Sequence, residues 1–293
     1  MILSARSTRL PITDERFRLV QCSECGLVYV NPRPNPQELQ GYYSKEYYES
    51  NWSVVGELDS RLFLDLNRRI EYVGRYKKSG RVLDVGCGSG DFLGEMKAIG
   101  WDVYGVDASR SACDRAVAKI GTNIYCGSLD DCHFVGEFFD VVTMWHVLEH
   151  VDDPNATIKE IGRILKNDGL LILEVPNIDS PIYKATRQYY SALDVPRHLI
   201  HFSLKTIERL IVRNGFRIIM VNSQTLEMPL IFFHSFLNML KFGYELSPTK
   251  RRFLVILFSP LLITATIEQR MLSLVLPIND VVRVTASKDK EIV

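Results

Sequence analysis

The chain has no excess of either charge. Lys and Arg number 35, Asp and Glu also 35, and the formal net charge over 293 residues is zero. Neutralising phosphates needs a basic surface, so nucleic acid is excluded as a main partner. No apolar signal core precedes the charged segment Thr13-Asp-Glu-Arg16, so export is not expected. The six cysteines (22, 25, 87, 113, 126 and 132) show no disulfide framework, which fits a reducing, cytoplasmic setting. Cys22-Ser-Glu-Cys25-Gly26 is half of a zinc knuckle, and no Cys or His precedes it. A structural zinc wants four ligands, so no tightly bound zinc is expected and no metal is assigned. Phe253–Ile267 is apolar for fifteen residues and carries Pro260 in its middle, short of the ~20 residues that cross a bilayer. A dinucleotide fingerprint, G-x-G-x-x-G, does not follow the most glycine-rich strand.

That strand leads into a loop of another kind. Arg81-Val-Leu-Asp-Val-Gly-Cys-Gly-Ser-Gly-Asp91 reads as a short buried strand, an acid at Asp84, and glycines at 86, 88 and 90. A helix-forming run, Asp91-Phe-Leu-Gly-Glu-Met-Lys97, comes next. Glycines let a backbone approach a ligand with no Cβ in the way. The carboxylate would repel a pyrophosphate, but it suits a ligand with an ammonium group and a positive sulfur. The loop therefore favours S-adenosylmethionine over a nicotinamide dinucleotide. Asp107 ends the next strand, where an acid can accept from two ribose hydroxyls, or else cap a helix. Ser128 and Leu129 come after the third strand and are candidates to edge an adenine, or plain turn residues.

From residue 81 apolar strands alternate with helical spacing, as in a parallel sheet with helices on its faces. Strands are expected at Val82–Val85, Val103–Asp107, Asn123–Cys126, Val141–Trp145, Leu170–Val175, Phe216–Asn222 and Val281–Ala286. Helices are expected at Phe92–Ile99, Arg110–Ile120, Ala156–Leu165 (stopped by Gly169) and Leu204–Asn214, with another from about Glu57 to Lys78. The fold class is thus α/β, a Rossmann-like, seven-stranded, mostly parallel sheet with helices on both faces. Residues 1–55 read as a loop-like cap with a Cys pair and tyrosines at 42, 43, 47 and 48. These tyrosines are either a lid or surface packing. Residues 56–224 form the core, 225–278 a hydrophobic helical insertion, and 279–293 the last strand and tail. The insertion either packs on the domain or a second subunit of a homodimer, or lies peripherally in a membrane interface.

The succession Val82-Leu-Asp-Val-Gly-Cys-Gly-Ser-Gly90, Tyr104-Gly-Val-Asp107, Gly127-Ser-Leu129, Phe139-Asp-Val-Val142, Leu148-Glu-His-Val151, Leu165-Lys-Asn-Asp-Gly-Leu-Leu171 and Pro176-Asn177 resembles class I S-adenosylmethionine-dependent methyltransferases. Within them it is most similar to the branch that includes ubiquinone-biosynthesis O-methyltransferases. The match covers roughly residues 80–222 and 281–288. The resemblance implies Asp84, Gly86, Gly88 and Gly90 around the methionine end of the donor, Asp107 on ribose, and Ser128-Leu129 at adenine. Similar bacterial methyltransferases often begin with two Cys pairs before a segment like Asn31-Pro-Arg-Pro34; the first pair is lacking here.

Histidines supply the candidate catalytic groups. His146 and His150 flank Glu149 directly after the fourth strand, and on a helix all three would converge. As a bare pattern, H-x-x-E-H matches an inverted zinc-peptidase motif, but the end of a parallel strand is the wrong context. The segment reads as a general base or acceptor anchor, as turn caps, or, since some related O-methyltransferases use acidic and His residues here, as a divalent-metal site that orients a substrate oxygen. Arg197 and His198 fall where the family closes over its acceptor, and His198 is a second candidate base. The expected function is methylation, on oxygen, of a small-molecule, sugar, glycan or lipid-linked acceptor. The alternatives are a nicotinamide-dependent oxidoreductase and a non-catalytic S-adenosylmethionine-binding assembly protein.

Overall fold

The computed structural model describes residues 3–6, 15–43, 66–121, 123–224 and 280–288, together with 235, 238 and 239. They fall into two units. One is drawn from 1–64, 176–206 and 223–282, the other from 65–175, 207–222 and 283–293. Tyr47, Tyr48 and nearly all of the expected insertion lie outside the described residues.

In the first unit the N-terminal segment is not loop-like as expected. It forms strands β1 (Leu3–Arg6), β2 (Arg16–Gln21) and β3 (Val28–Val30). In β2 the side chains alternate, Phe17 and Leu19 inward and Arg16 and Arg18 outward, as the two-residue period of a strand requires. The pairing is antiparallel, with Leu3 opposite Leu19 and Leu19 opposite Val30. The two-residue strand Ile200–His201 closes this four-stranded sheet on β3. Its core joins Phe17, Leu19, Val28 and Val30 to Tyr42, Ile182, Tyr183 and Tyr190. The strands are three to six residues long and their last partner comes from far along the chain, so alternation over a short window could not reveal them. A short helix α1 (Pro36–Gly41) comes next, started by a capping box between Asn35 and Glu38.

The second unit opens with helix α2 (Leu66–Tyr76) and then alternates: β4 (Arg81–Val85), α3 (Asp91–Ala98), β5 (Asp102–Asp107), α4 (Arg110–Ile120), β6 (Ile124–Cys126), β7 (Phe139–Trp145), α5 (Pro154–Ile164) and β8 (Leu165–Pro176). Beyond helix α6 (Pro181–Thr186) and β9 (Ile200–His201) come α7 (Leu204–Arg213), β10 (Phe216–Gln224) and β11 (Val281–Lys288). The large sheet has seven strands in the order β10-β11-β8-β7-β4-β5-β6. The pairs β4·β5, β4·β7, β5·β6 and β7·β8 are all parallel. Strands buried on both faces are largely apolar rather than alternating, which is why β4 and β7 read so clearly. Val82, Val103 and Val141 pack with Phe92, Leu93 and Met96 of α3 and Tyr72 and Val73 of α2. No helix among the described residues is long and apolar enough to cross a membrane.

Most element boundaries differ from the sequence reading by a residue or two, β8 begins five residues early, and both ends of helix α5 have a physical reason. Helix α5 begins at Pro154, because the Asp153 side chain accepts from the backbone N–H groups of Asn155 and Ala156. It ends at Ile164, not at a Gly169 stop. Leu165 is already extended and pairs with Phe139, and residues 166–169 form an irregularity before Leu170 pairs with Val141.

Asp153→Ala should lower the resistance of the second unit to urea by about 1 kcal/mol, while Asp153→Asn retains most of it. Tryptophan fluorescence through Trp101 and Trp145, both buried, reads this transition. Equal loss in both variants would show that the cap bonds do not stabilise the helix.

Candidate functional site

The glycine loop leaves the C-terminal end of β4, the middle of the sheet, where ligands of open parallel sheets collect. Gly86, Gly88 and Gly90 all have positive φ, at 75°, 55° and 75°. Two of these positions show different reasons for glycine. A Cβ on Gly86 would collide with Val147, whereas among the described residues one on Gly88 would meet nothing within 4 Å. Gly86 is needed for packing, and Gly88 leaves backbone open on the side away from the protein.

Asp107 at the end of β5 holds this loop. One carboxylate oxygen accepts from the Gly88 N–H and the other from the Ser109 N–H, each at 2.8 Å. Capping of α4 falls instead to Ser109, whose side chain accepts from Ala112. Each Asp107 oxygen keeps a second lone pair, so the carboxylate can clasp the loop and still accept from two hydroxyls.

Asp84 is 3% exposed and accepts a 2.6 Å hydrogen bond from Thr143 Oγ1 on β7. Burial pushes its carboxyl up to about 7, against the smaller stabilising effects of Thr143 and Arg69. The neighbouring Asp107 adds to the upward push. Once it has lost its proton, a buried acid in this place can pair with a cation.

Beyond β6, Asp131 accepts from both the backbone N–H and the hydroxyl of Ser128, at 3.0 and 2.6 Å. The Ser128 hydroxyl thus shapes its turn, and Leu129 is buried beside it. Asp131 is held below the usual carboxylate range chiefly by the Ser128 hydroxyl.

The segment after β7 is a turn rather than a helix. His146 sits there at φ 59°, a conformation that non-glycine residues seldom adopt. Its Nδ1 lies 3.7 Å from Glu149 Oε1, and its Nε2 lies 4.0 Å from Glu174 Oε2 on β8. The side chain is 26% exposed, so the imidazole is still reachable. His150 joins the same turn through its N–H to the Val147 carbonyl. Thus His146, Glu149 and His150 share one turn without helical geometry.

His198 belongs to the first unit. Its Nδ1 lies 2.9 Å from the Ala192 carbonyl, so that nitrogen carries the proton, and Nε2 lies 3.8 Å from Asp194 Oδ2. Arg197, read from sequence as a substrate ligand, is wholly buried. It donates to Asp194 and to the Tyr42 carbonyl, which makes it a structural cation. Tyr42 is also packed rather than lid-like: its ring meets Phe17 edge-on and its hydroxyl donates to Glu15.

Cys22 and Cys25 occupy the β2–β3 turn, closed by bonds from Cys22 N–H to Leu27 and from Gly26 N–H to Cys22. Backbone hydrogen bonds from Cys25 and Glu24 lower the Cys22 thiol. The turn supplies two thiols, half of a closed zinc site.

Sequence reasoning missed Thr143, Arg69, Glu174 and Arg283. Thr143 and Glu174 did leave a signal, as polar residues inside the apolar runs Val141–Trp145 and Leu170–Val175.

The raised carboxyl of Asp84 fixes a pH dependence. Its folded value lies above the ordinary value near 4, so the folded state holds the extra proton between about pH 4 and 7. Stability of the unliganded protein should fall as pH rises through that window, and this component should vanish in Asp84→Asn. A pH–stability slope in the variant identical to that of the wild type would contradict the assignment.

A family model described as a methyltransferase domain matches residues 58–221, more than half of the chain. The ubiquinone biosynthesis O-methyltransferase of Coxiella burnetii is 30% identical over 142 residues, covering 46% of this chain and 60% of that protein. The protein of the same description from Neisseria meningitidis serogroup C is 28% identical over 162 residues, covering 52% of this chain and 65% of that protein. The chain spans about two thirds or less of the length of these relatives. The solved structure of Haemonchus contortus phosphoethanolamine N-methyltransferase 2, in complex with phosphomonomethylethanolamine and S-adenosylhomocysteine, shares the fold. Its TM-score is 0.58 at 18% identity, covering 96% of this chain and 71% of that one. With the strand–glycine loop–helix of β4 and α3 and the acid that ends β5, the matched region assigns this chain to the methyltransferase-domain family.

Proposed function

We propose that the protein transfers a methyl group from S-adenosylmethionine to an oxygen of a small-molecule, sugar or lipid-linked acceptor. The observation that carries this reading is the buried Asp84 beside a glycine loop whose Gly88 face is open. A carboxylate with a hydroxyl partner suits the donor's ammonium group, and would repel the pyrophosphate of a dinucleotide. The open backbone of Gly88 receives the methionine end. Asp107 accepts from the ribose hydroxyls while it clasps the loop, and Ser128 and Leu129 edge the adenine.

Methyl transfer is an in-line displacement at carbon. As the acceptor oxygen bonds to the methyl carbon, the carbon–sulfur bond breaks and the acceptor proton must leave. His146 takes that proton in this reading, being partly open and at the C-terminal end of the central strands. His150 anchors the same turn, and His198 is the second candidate base. Most of the rate comes from alignment, with the base adding a smaller factor. The names of the curated relatives support oxygen as the acceptor atom. A lipid-linked acceptor is suggested by the apolar sequence at 225–278, through which the chain would touch a membrane surface or a second copy of itself. We place the activity in the cytoplasm, with no nucleic-acid partner and no zinc on the Cys22–Cys25 pair.

Parallel titrations with S-adenosylmethionine and NADH test the donor. The first should bind and the second should not; the reverse would sink the reading. Asp107→Asn should weaken donor binding at least about tenfold, because it loses both the clasp and a charged acceptor. Incubation with cell extracts, followed by mass spectrometry for a gain of about 14 Da, then searches for the acceptor. On that acceptor, His146→Gln should slow turnover about 10²-fold or more with donor affinity unchanged. Full turnover in that variant would remove His146 as the base.

A further inference from the structure

Glu174 interrupts the apolar run Leu170-Leu-Ile-Leu-Glu-Val175 and is 4% exposed. An unpaired carboxylate there would be driven neutral or would destabilise the sheet. Two cations meet it. Arg283 of β11 donates to Oε1 through Nε and also meets that oxygen through Nη2, while Arg69 of α2 reaches Oε2 at 3.2 Å. Burial alone would push the Glu174 carboxyl up; Arg69, Arg283 and His146 outweigh it and leave Glu174 below the usual carboxylate range.

The guanidinium groups are themselves fixed. Arg69 lies over the Trp145 ring at 4.7 Å, and Arg283 over the Tyr72 ring at 4.4 Å. Tyr72 in turn shares a 2.7 Å hydrogen bond with Thr285. Held this way, the carboxylate cannot swing, and Oε2 remains 4.0 Å from His146 Nε2. Glu174 also accepts the His146 N–H at its backbone carbonyl, at 3.0 Å, and so steadies the residue in its positive-φ conformation. Glu149 stands on the other side, at Nδ1. Besides its ion pairs with Arg69 and Arg283, the Glu174 carboxylate thus lies 4.0 Å from a half-open imidazole.

We propose that Glu174 is a positioning residue for His146: its backbone carbonyl holds the turn, and its carboxylate, 4.0 Å from Nε2, favours the protonated ring once Nε2 has taken the acceptor's proton. The inference rests on His146 being the base. The proton balance is simple: the acceptor O–H bond breaks, Nε2 gains the proton, and Nδ1–H stays toward Glu149. The imidazolium formed lies between two carboxylates. Arg69 and Arg283 keep Glu174 anionic throughout, so it stabilises that cation without competing for the proton.

Histidine-selective ¹³C labelling makes the six histidines visible, and the His146 signal is identified by its loss in His146→Gln. Among the described residues Glu149 and Glu174 lie beside this ring, Arg69 and Arg283 lie behind Glu174, and His150 shares the turn. In Glu174→Gln the proton affinity of His146 should fall about tenfold, as expected for loss of an opposite charge at this distance. In Arg283→Met it should rise, because a cation is removed while Glu174 stays. The second variant keeps the test open if the first does not fold. A His146 titration unchanged in either folded variant overturns the proposal. If both shifts appear but His146→Gln still consumes S-adenosylmethionine at the wild-type rate in extract, Glu174 positions a histidine that is not the base. That result would separate the two claims.

Discussion

A carboxylate buried at the end of the central strand, with a threonine hydroxyl as its hydrogen-bond partner, is the constraint on which the site depends. Asp84 lies on β4, between β5 and β7, so it cannot reach water, and among the described residues no cation forms an ion pair with it. Such a group is costly in the empty protein. The surrounding architecture makes the cost tolerable by allowing the acid to hold a proton near neutral pH. In the proposed reading a cationic ligand would replace that proton and relieve the penalty, so the same burial that weakens the empty fold would strengthen binding.

The neighbouring features serve this carboxylate. The loop after β4 must bring backbone close to whatever the acid attracts, and Gly88 provides the opening. The loop must also be rigid, and Asp107 supplies this by tying Gly88 to Ser109 across two strand ends. A second acid, Glu174, is treated in the opposite way. Arg69 and Arg283 clamp it and hold it ionised, so one sheet end carries a protonatable carboxylate and a permanently charged one. Their environments, not their residue types, set the difference.

The sheet was legible from sequence because buried parallel strands form mostly apolar runs and segments of helical spacing separate them. The glycine spacing, Asp84 and Asp107 were legible because backbone geometry demands glycine and an apolar strand makes an acid conspicuous. The clamp on Glu174 was not, since Arg69, Glu174 and Arg283 come from elements far apart in the chain. The small sheet of β1, β2, β3 and β9 was missed for a related reason: its strands are too short for periodicity, and β9 pairs from a distance. Arg197 misled because its segment closes over the acceptor in the resembled family, whereas burial with Asp194 shows a structural ion pair.

The central claim is that Asp84 exchanges a proton for the donor's ammonium group. Calorimetry of S-adenosylmethionine binding at about pH 6.5, repeated in buffers of different ionisation enthalpy, counts the protons released. With the carboxyl near 7 in the empty protein, binding should release about half a proton or more per chain, and Asp84→Asn should release none. Binding that releases no proton, or takes one up, would contradict the account.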